Sequence, residues 1–271
     1  MRLDGIHHVE IQAADASASL GFYAGLLGLK PLRREPGRVW LGAPGGPPGN
    51  LVSLSPAPGA APRRTGAGSV HTIIWRLGSD RALAFWRRRL AGVGVAPAPD
   101  FGGLRIVDPD GVGHELVVDP SDDEPLCTPS ADVPLPFALR GIEGVRAFGR
   151  ELVATADLLA GRLGFDLEGD GRVFRVRGYA RSASLVFDEP PGGVVAAGTG
   201  PVRHVAWTCG ADEQAAWRQR VIGLGARLFP LEASPHFRSI AFREPSGVPF
   251  AISTAGPGFE APVAVGSEAG G

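Results

Sequence analysis

The sequence predicts an α+β protein of four βαβββ modules whose strands curl into two curved-sheet barrels. Three observations predict it. One pattern recurs four times along the chain. Each copy joins a strand-period segment to a helix-period segment. Two of the copies end alike, on a Pro-Gly turn signal followed by one more strand.

The first module opens at Ile6-His7-His8-Val9 and closes its helix, through Leu20 to Leu27, at Gly28-Leu29. Leu20, Tyr23, Ala24 and Leu27 keep the three- and four-residue spacing of a helix face. Asp15 and Ser17 are its N-cap candidates. The second module opens at Val70-His71-Thr72-Ile73 and passes through Phe85-Trp86 to Gly92-Val93. The third opens at Ile142-Glu143-Gly144-Val145 and passes through Leu158-Leu159 to Gly164-Phe165. The fourth opens at Val202-Arg203-His204-Val205 and passes through Trp217 to Gly223-Leu224. The glycine after each helix suits a left-handed cap. Asp108-Pro109-Asp110-Gly111 and Glu244-Pro245-Ser246-Gly247 then turn the chain into a last strand. This reading divides the chain into a half at 1–119 (modules one and two), a linker at 120–137, a half at 138–255 (modules three and four) and a flexible tail at 256–271.

Composition narrows the function. With 27 basic against 28 acidic residues the net charge is -1, and no basic stripe speaks for nucleic acid. Cys127 and Cys209 make neither a disulfide framework nor a zinc spacing, as expected for a reducing compartment. Asp4, His7, His8 and Glu10 break any apolar leader, and no run reaches the length of a membrane span. The expectation is a cytoplasmic protein with a small-molecule partner. A homo-oligomer stays open.

Aligning the modules on one another puts His8, His71, Gly144 and His204 at one first-strand position. Glu115 and Ala251 share a last-strand position, seven residues beyond Asp108 and Glu244. His114 alternates to the face opposite Glu115. A lone strand histidine is more often structural, but three of six at one repeat position point to ligands. Two imidazoles and a carboxylate with open positions form the facial triad of non-haem Fe(II) oxygenases, and Mn(II) also suits it.

Gly5-Ile6-His7-His8-Val9, Phe22-Tyr23 and Leu26-Leu27-Gly28-Leu29 resemble the opening of ring-cleaving, hydroquinone-type dioxygenases of the vicinal oxygen chelate (glyoxalase/bleomycin resistance/dioxygenase) superfamily. The run Phe237 to Pro245 and the closing Gly256-Pro257-Gly258-Phe259 resemble that branch's C-terminal signature. The resemblance implies that modules one and four pair to form the metal site. It implies His8, His204 and position 251 as ligands, and His7 behind them orienting a ligand or shuttling protons. The family's glutamate at 251 is Ala251 here. Other departures gather nearby: Ala241, Ser234, His236, and Glu10 two residues past His8. Alternation puts Glu10 on the same side as His8, so it is the first candidate for a replacement carboxylate, with His236 the second. A pairing of modules one and two would instead assemble His8, His71 and Glu115.

Two functions compete on these residues. One is an Fe(II)- or Mn(II)-dependent dioxygenase-like enzyme on a dihydroxylated aromatic, with metal on His8, His204 and Glu10, and His7 and His236 as catalytic groups. The other is a metal-free binding protein or non-oxidative enzyme. In that reading Ala241 and Ala251 enlarge a cavity lined by Trp207 and Phe250.

Overall fold

The computed structural model describes residues 1–43, 49, 51–58, 65–94, 103–127, 130, 132–192 and 200–259. Module one comprises β1 (Ile6–Ala13), α1 (Ala16–Leu20), β2 (Lys30–Glu35), β3 (Arg38–Gly42) and β4 (Leu51–Pro56). Module two comprises β5 (Val70–Leu77), α2 (Asp80–Gly92), β6 (Leu104–Val107) and β7 (Gly113–Val118). Residues 95–102 lie outside the described part, so this module is βαββ as described. Module three comprises β8 (Ile142–Phe148), α3 (Leu152–Arg162), β9 (Asp166–Glu168), β10 (Val173–Arg177) and β11 (Ser182–Asp188). Module four comprises β12 (Val202–Cys209), α4 (Gln214–Gly223), β13 (Leu228–Phe229), β14 (Phe237–Arg243) and β15 (Pro249–Pro257). No described helix is long and apolar enough to cross a membrane.

The strands form two curved sheets. One has the order β13-β14-β15-β12-β1-β4-β3-β2, and the other β6-β7-β5-β8-β11-β10-β9. Each sheet therefore joins a module from one half of the chain to a module from the other. Modules one and four meet along antiparallel β1 and β12, and modules two and three along antiparallel β5 and β8. Modules one and two lie in different sheets, which removes the alternative triad of His8, His71 and Glu115.

The helices form where the spacing predicts, with two adjustments. Asp15 caps α1, accepting from the Ser17 and Ala18 amides. The helix then widens into a π-helical turn over Gly21–Leu26, which carries the fully buried Tyr23. Left-handed glycines follow the first and third helices at Gly28 and Gly164, but after α2 and α4 they are Gly94 and Gly225. Gly92 and Gly223 are instead the last helical residues. In α2 the buried Ala82, Trp86 and Leu90 lie at four-residue spacing on the core side. Each fully buried Leu or Trp of this kind contributes about 1.5–3 kcal/mol or more.

The turn signals act as latches between modules. Tyr23 O–H donates to Asp108 at 2.6 Å, and Ser19 O–H donates to Asp110 at 2.7 Å. Trp75 N–H donates to His114 at 2.9 Å in the same buried cluster, which accounts for that histidine. In the second half Thr155 O–H donates to Glu244 at 2.6 Å. Each first-module helix is thus fastened to the turn of the module after it. Most of the expected tail, residues 260–271, lies outside the described residues. Residues 256–259 are held: Gly258 N–H donates to the His236 carbonyl at 2.8 Å, and Phe259 lies 5.3 Å from the Trp40 ring.

Candidate functional site

Two β-bulges shape the cup between β1 and β12. Ile6 and His8 pair with adjacent residues Trp207 and Ala206, so His7 is an inserted residue in β1. Glu10 and Ile11 pair with His204 and Val202, so Arg203 is the inserted residue in β12. A bulge re-aims the side chain it inserts. His7 and His8 consequently approach the same ring, their centroids 4.6 and 5.4 Å from Phe237.

The bulges also correct the module alignment. In the second sheet the inserted residues are His71 in β5 and Glu143 in β8. His71 therefore corresponds to His7, not to His8. The position of His8 is occupied by Thr72, Gly144 and His204 in the other modules. The last-strand equivalence stands: Ala251 pairs with Ala206 and Glu115 with Ile74, each partner two residues past the corresponding first-strand position.

Three imidazoles form a line inside the cup. His7 Nδ1 lies 2.8 Å from His8 Nδ1, and His8 Nε2 lies 2.9 Å from His204 Nε2. His204 Nδ1 is 3.6 Å from Glu10, too far for a hydrogen bond. All three are buried and held in the neutral form. Burial lowers His7 to about 3, against an opposing contact to the Thr254 backbone. Burial lowers His204 to about 4, opposed in part by Glu10. Burial and then the neighbouring His7 and His204 push His8 well below its ordinary value.

Glu10 does join this group, but its oxygens are occupied. Ser55 O–H donates to it at 2.5 Å, Arg38 Nη2 at 3.2 Å, and Arg203 stands 3.4 Å away. Arg38 is itself buried, lies over the Trp40 ring at 5.3 Å, and reaches Glu232 at 3.0 Å. Nothing in the module repeat singled out Arg38. The available signal was one charged residue alternating with Trp40 in an apolar strand. His236 sits at the mouth instead, with Nε2 3.2 Å from Glu35 and Nδ1 3.3 Å from the Gly258 carbonyl.

The place of the absent glutamate is closed. His8, Ala206, Ala251 and Ala241 follow one another in register across β1, β12, β15 and β14. The three alanines form a buried patch, with Phe229 and Leu231 packed on it. Ala241 and Ala251 therefore do not open a cavity. Trp207 and Phe250 do not line the cup either. They face away from it, packed with Phe165 at 4.9 and 6.5 Å.

The residues present do not fit a centre of two histidines and a carboxylate. The two Nε2 atoms have a fitting separation, since ligands at right angles with bonds of about 2.1 Å stand about 3 Å apart. A third donor is lacking: position 251 offers a methyl group, and Glu10 faces Nδ1 of His204, the ring nitrogen opposite the one that meets His8. Among the described residues no three His, Cys, Asp or Glu side chains could hold a metal ion. Four buried polar atoms in and around the cup, His204 Nδ1, Ser53 Oγ, Arg38 Nε and His236 Nε2, have no hydrogen-bond partner among the described residues. Buried polar atoms are rarely left so. Beside His204 opens a cavity of about 320 Å³.

Comparison with known proteins agrees with this architecture. The model of the Glyoxalase/Bleomycin resistance protein/Dioxygenase superfamily matches residues 5–116. The chain is 29% identical to "Putative ring-cleaving dioxygenase MhqO" of Bacillus subtilis, over 94% of this chain and 86% of that protein. It is 27% identical to "Putative ring-cleaving dioxygenase MhqE" of the same organism, over 96% and 89%. The crystal structure of a putative dioxygenase from Bacillus subtilis superposes with a TM-score of 0.82 at 28% identity, covering 95% of this chain and 87% of that one. Glyoxalase I from Zea mays shares the fold, with a TM-score of 0.61 at 18% identity over 93% and 92%. With its two curved sheets and this likeness along almost its whole length, the chain has the vicinal oxygen chelate fold, and its residues 5–116 match the glyoxalase/bleomycin resistance/dioxygenase superfamily.

Proposed function

We propose that this dioxygenase-like protein takes a small aromatic molecule at its cup and handles protons there through the histidine line, without a metal centre of two histidines and a carboxylate. One observation carries the reading. The third-ligand position is a methyl group under a closed patch, while Glu10 is engaged by Arg38 and Ser55.

The imidazole line suits proton transfer. A neutral imidazole has one N–H and one bare nitrogen. The two contacts within the line use two of the three ring protons. The third must then sit at one end, on His7 or on His204 Nδ1. A relay along the line stays neutral only if one proton enters at one end nitrogen as another leaves from the opposite end, the two inner protons each moving across one contact. His204 Nδ1 faces Glu10 and has no hydrogen-bond partner among the described residues, so it is the end we assign to a substrate. A base or acid placed within reach of its proton is what general acid–base catalysis requires. His7 and His204 are the proposed relay ends and His8 the link. Glu10, fixed by Arg38, positions His204. His236 has no part in the relay and steadies the mouth.

A second reading rests on the 2.9 Å approach of the two Nε2 atoms. Fe(II) or Mn(II) held by His8 and His204 alone would need water or substrate for its other positions and would bind weakly. Metal content after anaerobic loading, paired with calorimetric titration of hydroquinone, separates the two. The proposal expects substoichiometric metal, unchanged in His8→Ala, and hydroquinone binding that is lost in His204→Ala. About one metal per chain that disappears in His8→Ala overturns it in favour of the second reading.

A further inference from the structure

The cavity beside His204 has a chemical character of its own. Gln12, Arg203, His204, Phe229, Leu231 and Arg243 contribute to its wall, and among the described residues no acidic side chain lines it. Arg203 reaches it because the bulge in β12 brings it to the side of His204. Arg243 forms no ion pair among the described residues. It donates to the Gly247 carbonyl at 2.9 Å and lies over Phe229 at 5.8 Å. At the cup Arg38 is answered by Glu10 and Glu232 and Arg203 by Glu10, while Arg243 pairs with neither carboxylate. The unmatched cation is thus on the cavity side. His204 is buried, and its Nδ1 lacks a hydrogen-bond partner among the described residues.

We infer that the ligand of this cavity is a single-ring aromatic carboxylate, with its carboxylate between Arg203 and Arg243 and its ring against Phe229 and Leu231. The inference rests on the proposed reading of the cup as a ligand site and adds the class of ligand. Guanidinium groups match carboxylates in geometry as well as charge. Phe229 and Leu231 supply the apolar wall that a ring needs. A cavity of about 150 Å³ accommodates benzene, so about 320 Å³ leaves ample room for one ring and its substituents. Gln12 and His204 then face the ring substituents, where the orphaned Nδ1 would exchange a proton with a hydroxyl group.

The test compares hydroquinone with 2,5-dihydroxybenzoate, which differs by the carboxylate alone. Both are titrated calorimetrically into the full chain at pH 7, at low and high salt. The carboxylate should bind at least about tenfold more tightly, a difference of about 1.4 kcal/mol. That advantage should shrink with salt and disappear in Arg243→Gln, an exposed position whose replacement leaves the core intact. Equal binding of the two ligands to the unmodified chain overturns the carboxylate assignment and leaves the cup reading standing. An advantage that survives both Arg243→Gln and Arg203→Gln overturns it as well. If neither ligand binds, the cup reading itself falls and the carboxylate goes with it.

Discussion

The two sheets are built from the same modules and keep opposite parts of one site. In the sheet of modules one and four the strand positions past the bulges are His8 and His204, and the last-strand position is Ala251. In the sheet of modules two and three those positions are Thr72 and Gly144, and the last-strand position is Glu115. The first cup has the imidazoles without the carboxylate, and the second has the carboxylate without the imidazoles. Their electrostatics diverge accordingly. In the second cup Arg146 donates to Asp188 at 2.6 and 2.8 Å and stands 3.9 Å from Glu115. His71 meets Asp188 at 3.0 Å and stacks on Phe148 at 4.1 Å. Opposite charges answer one another there, and among the described residues Glu115 Oε1 has no hydrogen-bond partner. The first cup keeps neutral imidazoles in a line and has four polar atoms without a hydrogen-bond partner among the described residues. One frame thus supports a cluster of ion pairs on one side and a line of neutral imidazoles on the other, so function has to be argued from each cup separately.

The largest change should come from giving the first cup what it lacks. Ala251→Glu places a carboxylate in register with Ala206, beside His8. Fe(II) or Mn(II) affinity should rise by more than the roughly 10–100-fold that an outer partner of a metal ligand is worth. The new side chain must also displace Phe229 and Leu231 from the alanine patch. Without metal the variant should therefore lose about 1–3 kcal/mol of stability, recovered when metal binds. A thermal scan with and without Mn(II) reads both effects. No metal-dependent rise in Tm would mean that the histidine pair is not arranged for a metal even with the third donor restored.

The two cups should also fail in separate pH windows. His7 and His204 are lowered to about 3 and about 4 in the folded chain, from an ordinary 6.5. Below pH 6.5 the unfolded chain takes up protons that the folded chain refuses. Their contribution is complete above that pH and is lost as pH falls towards 4 and then 3. Each such histidine gives a slope of at most about 1.4 kcal/mol per pH unit. In the second cup burial would raise Asp188, but hydrogen bonds from His71 and Arg146 outweigh it and hold the carboxyl well below its ordinary 3.8. Its contribution is present above pH 3.8 and is lost only below it. Urea midpoints measured from pH 8 to 3 should fall first between 6.5 and 4. In His204→Asn that upper limb should flatten while the lower one stays.

The modules were legible because alternation and helix spacing are local signals, and the repeat made each copy a check on the others. His8, His204 and the altered position 251 came from that same repeat. What escaped was whatever depends on a bulge or on distant strands. His71 was aligned with His8 although it follows β5's first residue as His7 follows Ile6, and one residue of slip reverses a side chain. Arg203 could not be assigned to the cup, since strict alternation puts it on the side away from His204. Trp207 is the reverse case: alternation counted from His204 already puts it on the far face. Arg38 reaches Glu10 across 28 residues of sequence, through the pairing of β1, β4 and β3, and no local pattern encodes that.

A smaller effect tests whether the second cup is only a brace. Arg146→Met removes the cation between Asp188 and Glu115. Leaving a partly buried carboxylate unanswered should cost about 1–3 kcal/mol. The Tm should fall by several degrees, while ligand titrations at the first cup should not change. A matching loss of ligand affinity would mean that the sheets are coupled, and the separation drawn between them would fail.

The smallest effect is expected at the outer end of Arg38. Its Nη2 is shared between Glu10, which is 2% exposed, and Glu232, which is 64% exposed. An ion pair whose acid is mostly in water is worth about 0–1 kcal/mol. Glu232→Gln should therefore shift the Tm by at most a few degrees. Glu10→Gln should cost far more, because Arg38 and Arg203 would face a buried amide in place of their counter-charge. Comparing the two variants shows which end of Arg38 holds the cup together. Equal losses would mean that the segment 230–236 fixes the guanidinium from outside, and that Glu10 is free to engage something other than Arg38. A large loss for Glu10→Gln alone would mean that the carboxylate is structurally committed to Arg38 and Arg203.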